Sequence, residues 1–419
     1  MRLKEKTSGH IVEALVSHQN RPLLGRGAWL AACVISCAGC ATGRYHDAYL
    51  VLGNLTAAGG DSRLERSTAE PSRTSITYTI DGRLNRGDLY LPGEGVPEAS
   101  VVLVPGAVPE GKDHDSLVEL ALTLARVRFA VLTPELSGYR DLEIRPGQVR
   151  EVADAFRYLA GHDDLCPGGR AGIGAFSFAV GPAVLAALED DIRGRVRFVF
   201  GVGGYHDLRL AIRFFTTGYF DDNGKLRYAE PSDYGRLVFA KSVQDQLRDP
   251  TDRATFEAMV EARLKDATAD LSSLAGRLGP EGQSIYRLLT NADPARTPAL
   301  IDNLPDETVA MIDALTLTDK DLRDLAARLI LVHGKSDPLI PYTESIALAR
   351  AAAPLQSRVI IVNHVLGHVD LRFSRLLSAQ FWTQEVPDAF RVLRAMALLM
   401  REREPASRYA PAEDAHAGT

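Results

Sequence analysis

From about residue 75 the apolar and polar positions fall into two alternating regimes. Ser75-Ile76-Thr77-Tyr78-Thr79-Ile80 alternates with a period of two, Asp81-Gly82 breaks the run, and Gly87-Asp88-Leu89-Tyr90-Leu91-Pro92 resumes it. That pattern predicts a hairpin of two strands. Short, wholly apolar runs then take turns with stretches of helical spacing. The runs are Val101–Val104, Phe129–Thr133, Ala171–Phe176 and Val196–Val202, and the helical stretches are His114–Arg126, Val149–Leu159 and Phe178–Leu188. Strands that are apolar on both faces, separated by helices, belong to a parallel sheet covered on both sides. The opening hairpin is expected antiparallel at one edge.

The alternation stops over residues 203–326, where helical stretches such as Phe256–Leu264 and Glu307–Leu315 are separated by Pro and Gly and no strong strand is visible. A structureless loop of that length is improbable. The sheet resumes with Ala327–Val332, a helix follows over Thr343–Ala352, and Val359–Val362 is a further strand. Leu371–Glu402 is a long helical segment that Pro387 should interrupt. The predicted fold is therefore α/β, a mostly parallel, doubly wound sheet. A helical cap is inserted between the strand near 196–202 and the strand near 327–332. The expected organisation is 1–39 signal peptide, 40–72 tether, 73–202 first part of the core, 203–326 cap, 327–404 second part of the core, and 405–419 disordered tail.

Composition changes this picture only at the N-terminus. The 419 residues are 46% hydrophobic and 24% charged with a net charge of −6, which suits a globular protein and argues against nucleic-acid binding. There are no zinc-type cysteine pairs and no repeat period. Arg21 and Arg26 precede the apolar run Ala28–Ile35, which leads into Ser36-Cys37-Ala38-Gly39-Cys40. The run is too short to span a bilayer but suits a signal-peptide core. Cys37-Ala38-Gly39-Cys40 resembles a bacterial lipobox, whose last cysteine is lipidated and becomes the mature N-terminus. Lipidation at Cys40 would place the protein in the cell envelope, membrane-anchored and facing the periplasm or the exterior. A plain secretory signal, giving a soluble secreted or periplasmic protein, is the alternative.

The chemistry concentrates at the ends of the strands. In Ala175-Phe176-Ser177-Phe178-Ala179 a strand runs into a helix through a serine flanked by small residues. This is how a hydroxyl is exposed on a sharp strand-to-helix turn, where bulkier neighbours would collide. A serine becomes a nucleophile only when a base takes its proton, and groups that act together in parallel sheets gather beyond the carboxyl ends of the strands. After the strand ending at Val332 comes His333-Gly334-Lys335-Ser336-Asp337-Pro338-Leu339-Ile340-Pro341; after the next comes Asn363-His364-Val365-Leu366-Gly367-His368. Asp337 can orient an imidazole, although a turn aspartate before proline is its plainer reading. His368, behind a glycine, is the candidate base, with His364 as local rival. Gly172-Ile173-Gly174 lacks the third glycine and the acidic residue of a dinucleotide fingerprint.

The ordered set Ser177, Asp337, His368 resembles the α/β-hydrolase superfamily, whose chain order is nucleophile, acid, histidine. The resemblance rests on the H-G-x-x-D-P-x-x-P spelling at 333–341, the Gly-His at 367–368 and the serine turn, where alanine replaces both usual glycines. It covers residues 75–202 and 327–402 and leaves the cap outside. It implies a serine hydrolase acting on a small acyl substrate, with no metal and no organic cofactor. The backbone N–H groups of Ala107 and Phe178 would form the oxyanion hole, and Val108 is the reserve donor. Gly106 would lie against the substrate or serve only as a turn glycine. Gly203-Gly204-Tyr205-His206-Asp207 should border the site, with Tyr205 and His206 as candidates for touching substrate and a structural histidine as the plainer reading of His206. The implied activity is cleavage of a carboxylic ester. A peptidase or amidase on the same three residues, and a non-catalytic envelope binding protein, are the alternatives.

Overall fold

The computed structural model describes residues 41–57, 62–266, 268–352, 357–368 and 384–405. The expected signal segment 1–39, Cys40 and the expected tail from 406 lie outside the described residues.

Eight strands form one sheet. They are β1 (Ser72–Ile80), β2 (Arg83–Leu91), β3 (Ala99–Val104), β4 (Phe129–Pro134), β5 (Ala171–Phe176), β6 (Val196–Val202), β9 (Arg328–Gly334) and β10 (Ser357–Val362), in the spatial order β1-β2-β4-β3-β5-β6-β9-β10. β1 and β2 are an antiparallel hairpin joined at Asp81-Gly82, and β2 runs antiparallel to β4. Every other pairing is parallel. The central strands are apolar throughout because both faces are covered. Val102 and Val104 of β3 enter one buried cluster while Val101 and Leu103 enter another, as the two-residue period of a strand requires. Helices α4 (Gly147–Ala160) and α5 (Val180–Leu188) cover the first face. On the second face lie α1 (Ala41–Leu55), α3 (Asp115–Arg126) and α14 (Val386–Arg401).

Two expectations need correction. The segment 40–72 is not a tether: α1 packs along α14 with Ala48 and Val51 fully buried, and a short helix α2 (Arg63–Ser67) opens on a capping box formed by Ser62 and Glu65. Tyr45, Ala48, Tyr49 and Leu52 supply the apolar stripe at helical spacing that drives this packing. Pro387 stands in the first turn of α14, where its missing N–H costs nothing; residues 371–383 of the expected helical segment lie outside the described residues. The stretch 203–326 also contains strands. Residues Tyr219–Asp222 (β7) and Lys225–Tyr228 (β8) form a hairpin on Asn223-Gly224, both at positive φ.

The rest of that stretch is helical: α6 (Leu208–Thr217), α7 (Asp233–Gln244), α8 (Pro250–Lys265), α9 (Ser272–Ala275), α10 (Pro280–Leu289), α11 (Thr297–Asp302) and α12 (Asp306–Leu315). Its apolar side chains Phe215, Val238, Phe239, Met311 and Leu315 join the cluster that also holds Val104 and Ala179 of the sheet layer. The carboxyl ends of β3, β5, β6, β9 and β10 therefore open under this helical layer. Helix α13 (Tyr342–Ala351) connects β9 to β10.

Candidate active site

At the end of β5 the chain turns at Ser177, which has φ 58°. A left-handed residue other than glycine carries a steric cost of about 1–2 kcal/mol, and such strain is held where the surroundings over-determine it. Here those surroundings are a strand buried from Ala171 to Ala175 and a helix, α5, whose residues 180–187 are all buried. Ala175 and Ala179 are both fully buried, so there is no room for larger side chains beside the turn. Ser177 itself keeps 9% of its surface exposed.

Two loops away, the backbone N–H groups of Leu339 (2.8 Å) and Ile340 (3.0 Å) donate to Asp337 Oδ1. The other oxygen, Oδ2, accepts from Nδ1 of His368 at 2.6 Å. Burial works to raise the Asp337 pKa. Attraction to His368 and the contacts from His333 and His368 outweigh it and hold the carboxyl far below its ordinary range. With Nδ1 donating, the neutral imidazole presents Nε2 as a bare acceptor. That atom is buried and makes no hydrogen bond among the described residues.

His333 of β9 braces the acid. Its Nε2 lies 2.9 Å from the carbonyl of Ile340 and 3.3 Å from Asp337 Oδ2. A carbonyl only accepts, so Nε2 carries the proton and Nδ1 accepts from the Ser345 hydroxyl at 2.7 Å. His364, the local rival, is turned to α14: its N–H donates to Asp388 Oδ2, and its ring lies 3.3 Å from the same oxygen.

Sheet register brings serine and histidine to neighbouring strand ends. Phe176 of β5 pairs with Val202 of β6, so Ser177 and Gly203 are the next residues on adjacent strands, which run about 4.8 Å apart. The His368 ring rests on Gly203. A Cβ placed there would lie 3.2 Å from both Nδ1 and Cε1 of the imidazole, and Gly203 has φ 67°. Gly106, in the loop after β3, lies on the other side of the serine: a Cβ on it would sit 3.9 Å from the Ser177 Cβ. Ala107 follows, buried. Among the described residues, neither its N–H nor that of Phe178 has a hydrogen-bond acceptor.

Tyr205 does not offer its hydroxyl to this space. Tyr205 is fully buried, and its hydroxyl donates to the Leu315 carbonyl at 3.0 Å. The ring, with Phe178, Phe215, Leu208, Val238 and Met311, walls an apolar cavity of about 30 Å³. His206 is half-buried, and burial lowers its pKa. Its backbone N–H and that of Asp207 donate to Glu344 Oε2 at 3.0 and 2.8 Å. Glu344 on α13 is almost fully buried, and desolvation outweighs those two bonds and pushes its pKa up to about 7. It ties the entry of the helical layer to the core, and the Leu317 N–H closes the exit onto the His206 carbonyl. Sequence reading assigned no role to Glu344, because a glutamate in a helix carries no signal of burial.

Among the described residues no cluster of His, Cys, Asp and Glu is built to hold a metal ion, and no helix is long and apolar enough to cross a membrane. Cys166 is a buried free thiol.

No protein-family model matches this chain, and no curated protein matches it. Solved structures do. One is a putative hydrolase from Legionella pneumophila, 12% identical, with a TM-score of 0.53 over 88% of this chain and 96% of that one. Another is a serine hydrolase from the polyaromatic-hydrocarbon-degrading bacterium Cycloclasticus zankles, 14% identical, with a TM-score of 0.40 over 78% of this chain and 98% of that one. Together with the eight-stranded, mostly parallel sheet, the first of these shows the α/β-hydrolase fold.

Proposed function

We propose that this chain is an exported serine hydrolase that cleaves a carboxylic ester through an acyl-enzyme. The observation that carries the reading is the His368–Asp337 pair. The imidazole is held through Nδ1 by a buried carboxylate, its Nε2 is buried and unbonded, and it rests on the strand end beside Ser177.

In this reading the Ser177 hydroxyl attacks the acyl carbonyl while His368 Nε2 takes its proton, forming a tetrahedral intermediate. The N–H groups of Ala107 and Phe178 bind its negative oxygen. The imidazolium that results is stabilised by Asp337, which stays ionised, and His368 then returns the proton to the departing alcohol. Water, deprotonated by the same histidine, releases the acid. The ester is assigned by analogy with the chemistry this fold most often hosts. Export and a lipid on Cys40 rest on the sequence of the N-terminal segment.

Treatment of the folded protein with a fluorophosphonate probe tests the nucleophile. Labelling that disappears in Ser177→Ala is expected, and an unlabelled wild type identifies a binding protein on this fold instead. Matched p-nitrophenyl ester and p-nitroanilide substrates separate an esterase from an amidase or peptidase. The mass of the mature N-terminus tests the anchor, and an unmodified residue other than Cys40 there overturns it.

A further inference from the structure

A short segment at the start of α7 bonds the loops on both sides of the site. The Ser232 N–H donates to the carbonyl of Pro338, the residue after Asp337, at 2.8 Å. Two residues on, the Tyr234 hydroxyl donates to the carbonyl of Ala107 at 2.6 Å. The Ser232 side chain caps the helix between them by accepting from the Tyr234 N–H. In the sheet, β3 and β9 are separated by β5 and β6. A segment bonded at once to the loop after β3 and the loop after β9 must therefore cross above the ends of β5 and β6, where Ser177 and Gly203 stand. Further along α7 the Ser242 hydroxyl accepts from the Ile144 N–H at 2.9 Å, which secures the helix to the loop beyond β4.

We propose that Tyr234, a residue of the inserted helices, is a positioning residue for the oxyanion donor at Ala107. This inference rests on the reading of Ser177 as nucleophile. An oxyanion donor is effective only when its peptide is fixed before charge develops, because reorientation during the reaction would consume the gain. Ala107 lies in an irregular loop whose peptides have no sheet ladder to hold them. The hydrogen bond from Tyr234 fixes the 107–108 peptide, which adjoins at the Ala107 Cα the peptide that carries the Ala107 N–H, and so restricts rotation of that donor. Burial raises the pKa of the phenol well above its ordinary value, so the group stays protonated and remains a donor across the working range. The inserted layer therefore completes the reaction centre in addition to covering it.

The test compares wild type, Tyr234→Phe and, as a second deletion of the same hydroxyl, Tyr234→Leu, each with its melting temperature. The readouts are fluorophosphonate labelling, kcat and KM on p-nitrophenyl acetate, and Ki for a trifluoromethyl ketone, whose adduct places a negative oxygen in the hole. Outright loss of an oxyanion donor costs about 10²–10³ in kcat, and loosening one should cost about 10-fold in kcat and in Ki while KM stays within about 2-fold. A merely structural cap contact would move KM or the melting temperature and spare both kcat and Ki. That result, with a labelled wild type, overturns the proposal alone. An unlabelled wild type overturns the nucleophile reading and this inference with it.

Discussion

Asp337 and His368, 31 residues apart in the chain, meet at 2.6 Å between Oδ2 and Nδ1, and the carboxylate is saturated on its other side by the N–H groups of Leu339 and Ile340. The acid is thus immobile, and its Oδ2 holds one tautomer of the His368 imidazole while His333 braces it from the side. Asp337→Asn keeps the shape but lets the ring adopt the opposite tautomer. By the precedent of other Ser-His-Asp sites, kcat should fall on the order of 10⁴-fold with KM little changed. Steady-state kinetics on p-nitrophenyl acetate checks this, and a loss under tenfold would detach Asp337 from the chemistry.

Gly203 is the floor under the imidazole. Alanine there would meet a left-handed φ of 67° and place its Cβ 3.2 Å from Nδ1 and Cε1 of His368. The backbone strain costs about 1–2 kcal/mol, a small loss for a chain of this size. Misplacing a reacting group by about 1 Å can cost about 100-fold in rate, and a shift of part of that distance a corresponding share. Gly203→Ala is expected to fold, to melt a few degrees lower, and to lose most of its activity. A variant that loses stability but retains kcat would show that the ring does not rest on this residue during turnover.

Glu344 gives stability a pH dependence of unusual sign. Its pKa is pushed up to about 7 in the fold, against about 4.3 in an unfolded chain. Between those values the folded state holds a proton that the unfolded state has released, so stability is fully present below about pH 4.3 and is lost as pH rises through about 7. The loss amounts to about 4 kcal/mol. Both backbone bonds fall on Oε2, which leaves Oε1 free to carry the proton. Glutamine reproduces that state at every pH. Glu344→Gln should match wild type in denaturant titrations at pH 4 and exceed it at pH 8, and equal stability of the two proteins at pH 8 would refute the shifted carboxyl.

Much of this was legible in the chain itself, and the exceptions have physical causes. Every sheet strand was visible because the central strands are apolar on both faces and so read as unbroken runs. The pairing of Asp337 with His368 followed from two loops at adjacent strand ends. The hairpin at Asn223-Gly224 carries the strongest short hairpin signal, and Lys225-Leu226-Arg227-Tyr228 alternates polar and apolar behind it, but the reading of 203–326 as helical passed over these two four-residue strands. Tyr234 and Glu344 act through contacts 127 and 138 residues distant, which no local pattern encodes. The Tyr205 ring packs beside Phe178, but its hydroxyl is committed to Leu315, a partner at the far end of the insertion.

Helix α1 sharpens what export would mean for this protein. A solvated tether after Cys40 would leave the body free to move, but α1 begins at Ala41 and packs on α14, and Arg403 near the end of α14 bonds both Asp47 and the Val127 carbonyl. Leu52 is buried against this layer. In a tether, Leu52→Ala would shift stability by no more than about 0.5 kcal/mol. In a packed helix it should cost about 2–5 kcal/mol, the range for emptying a buried leucine site. Thermal or denaturant unfolding of the chain from residue 41 onward distinguishes the two. The larger loss would mean that a lipid on Cys40, if present, holds the folded body directly at the membrane surface with no spacer between them.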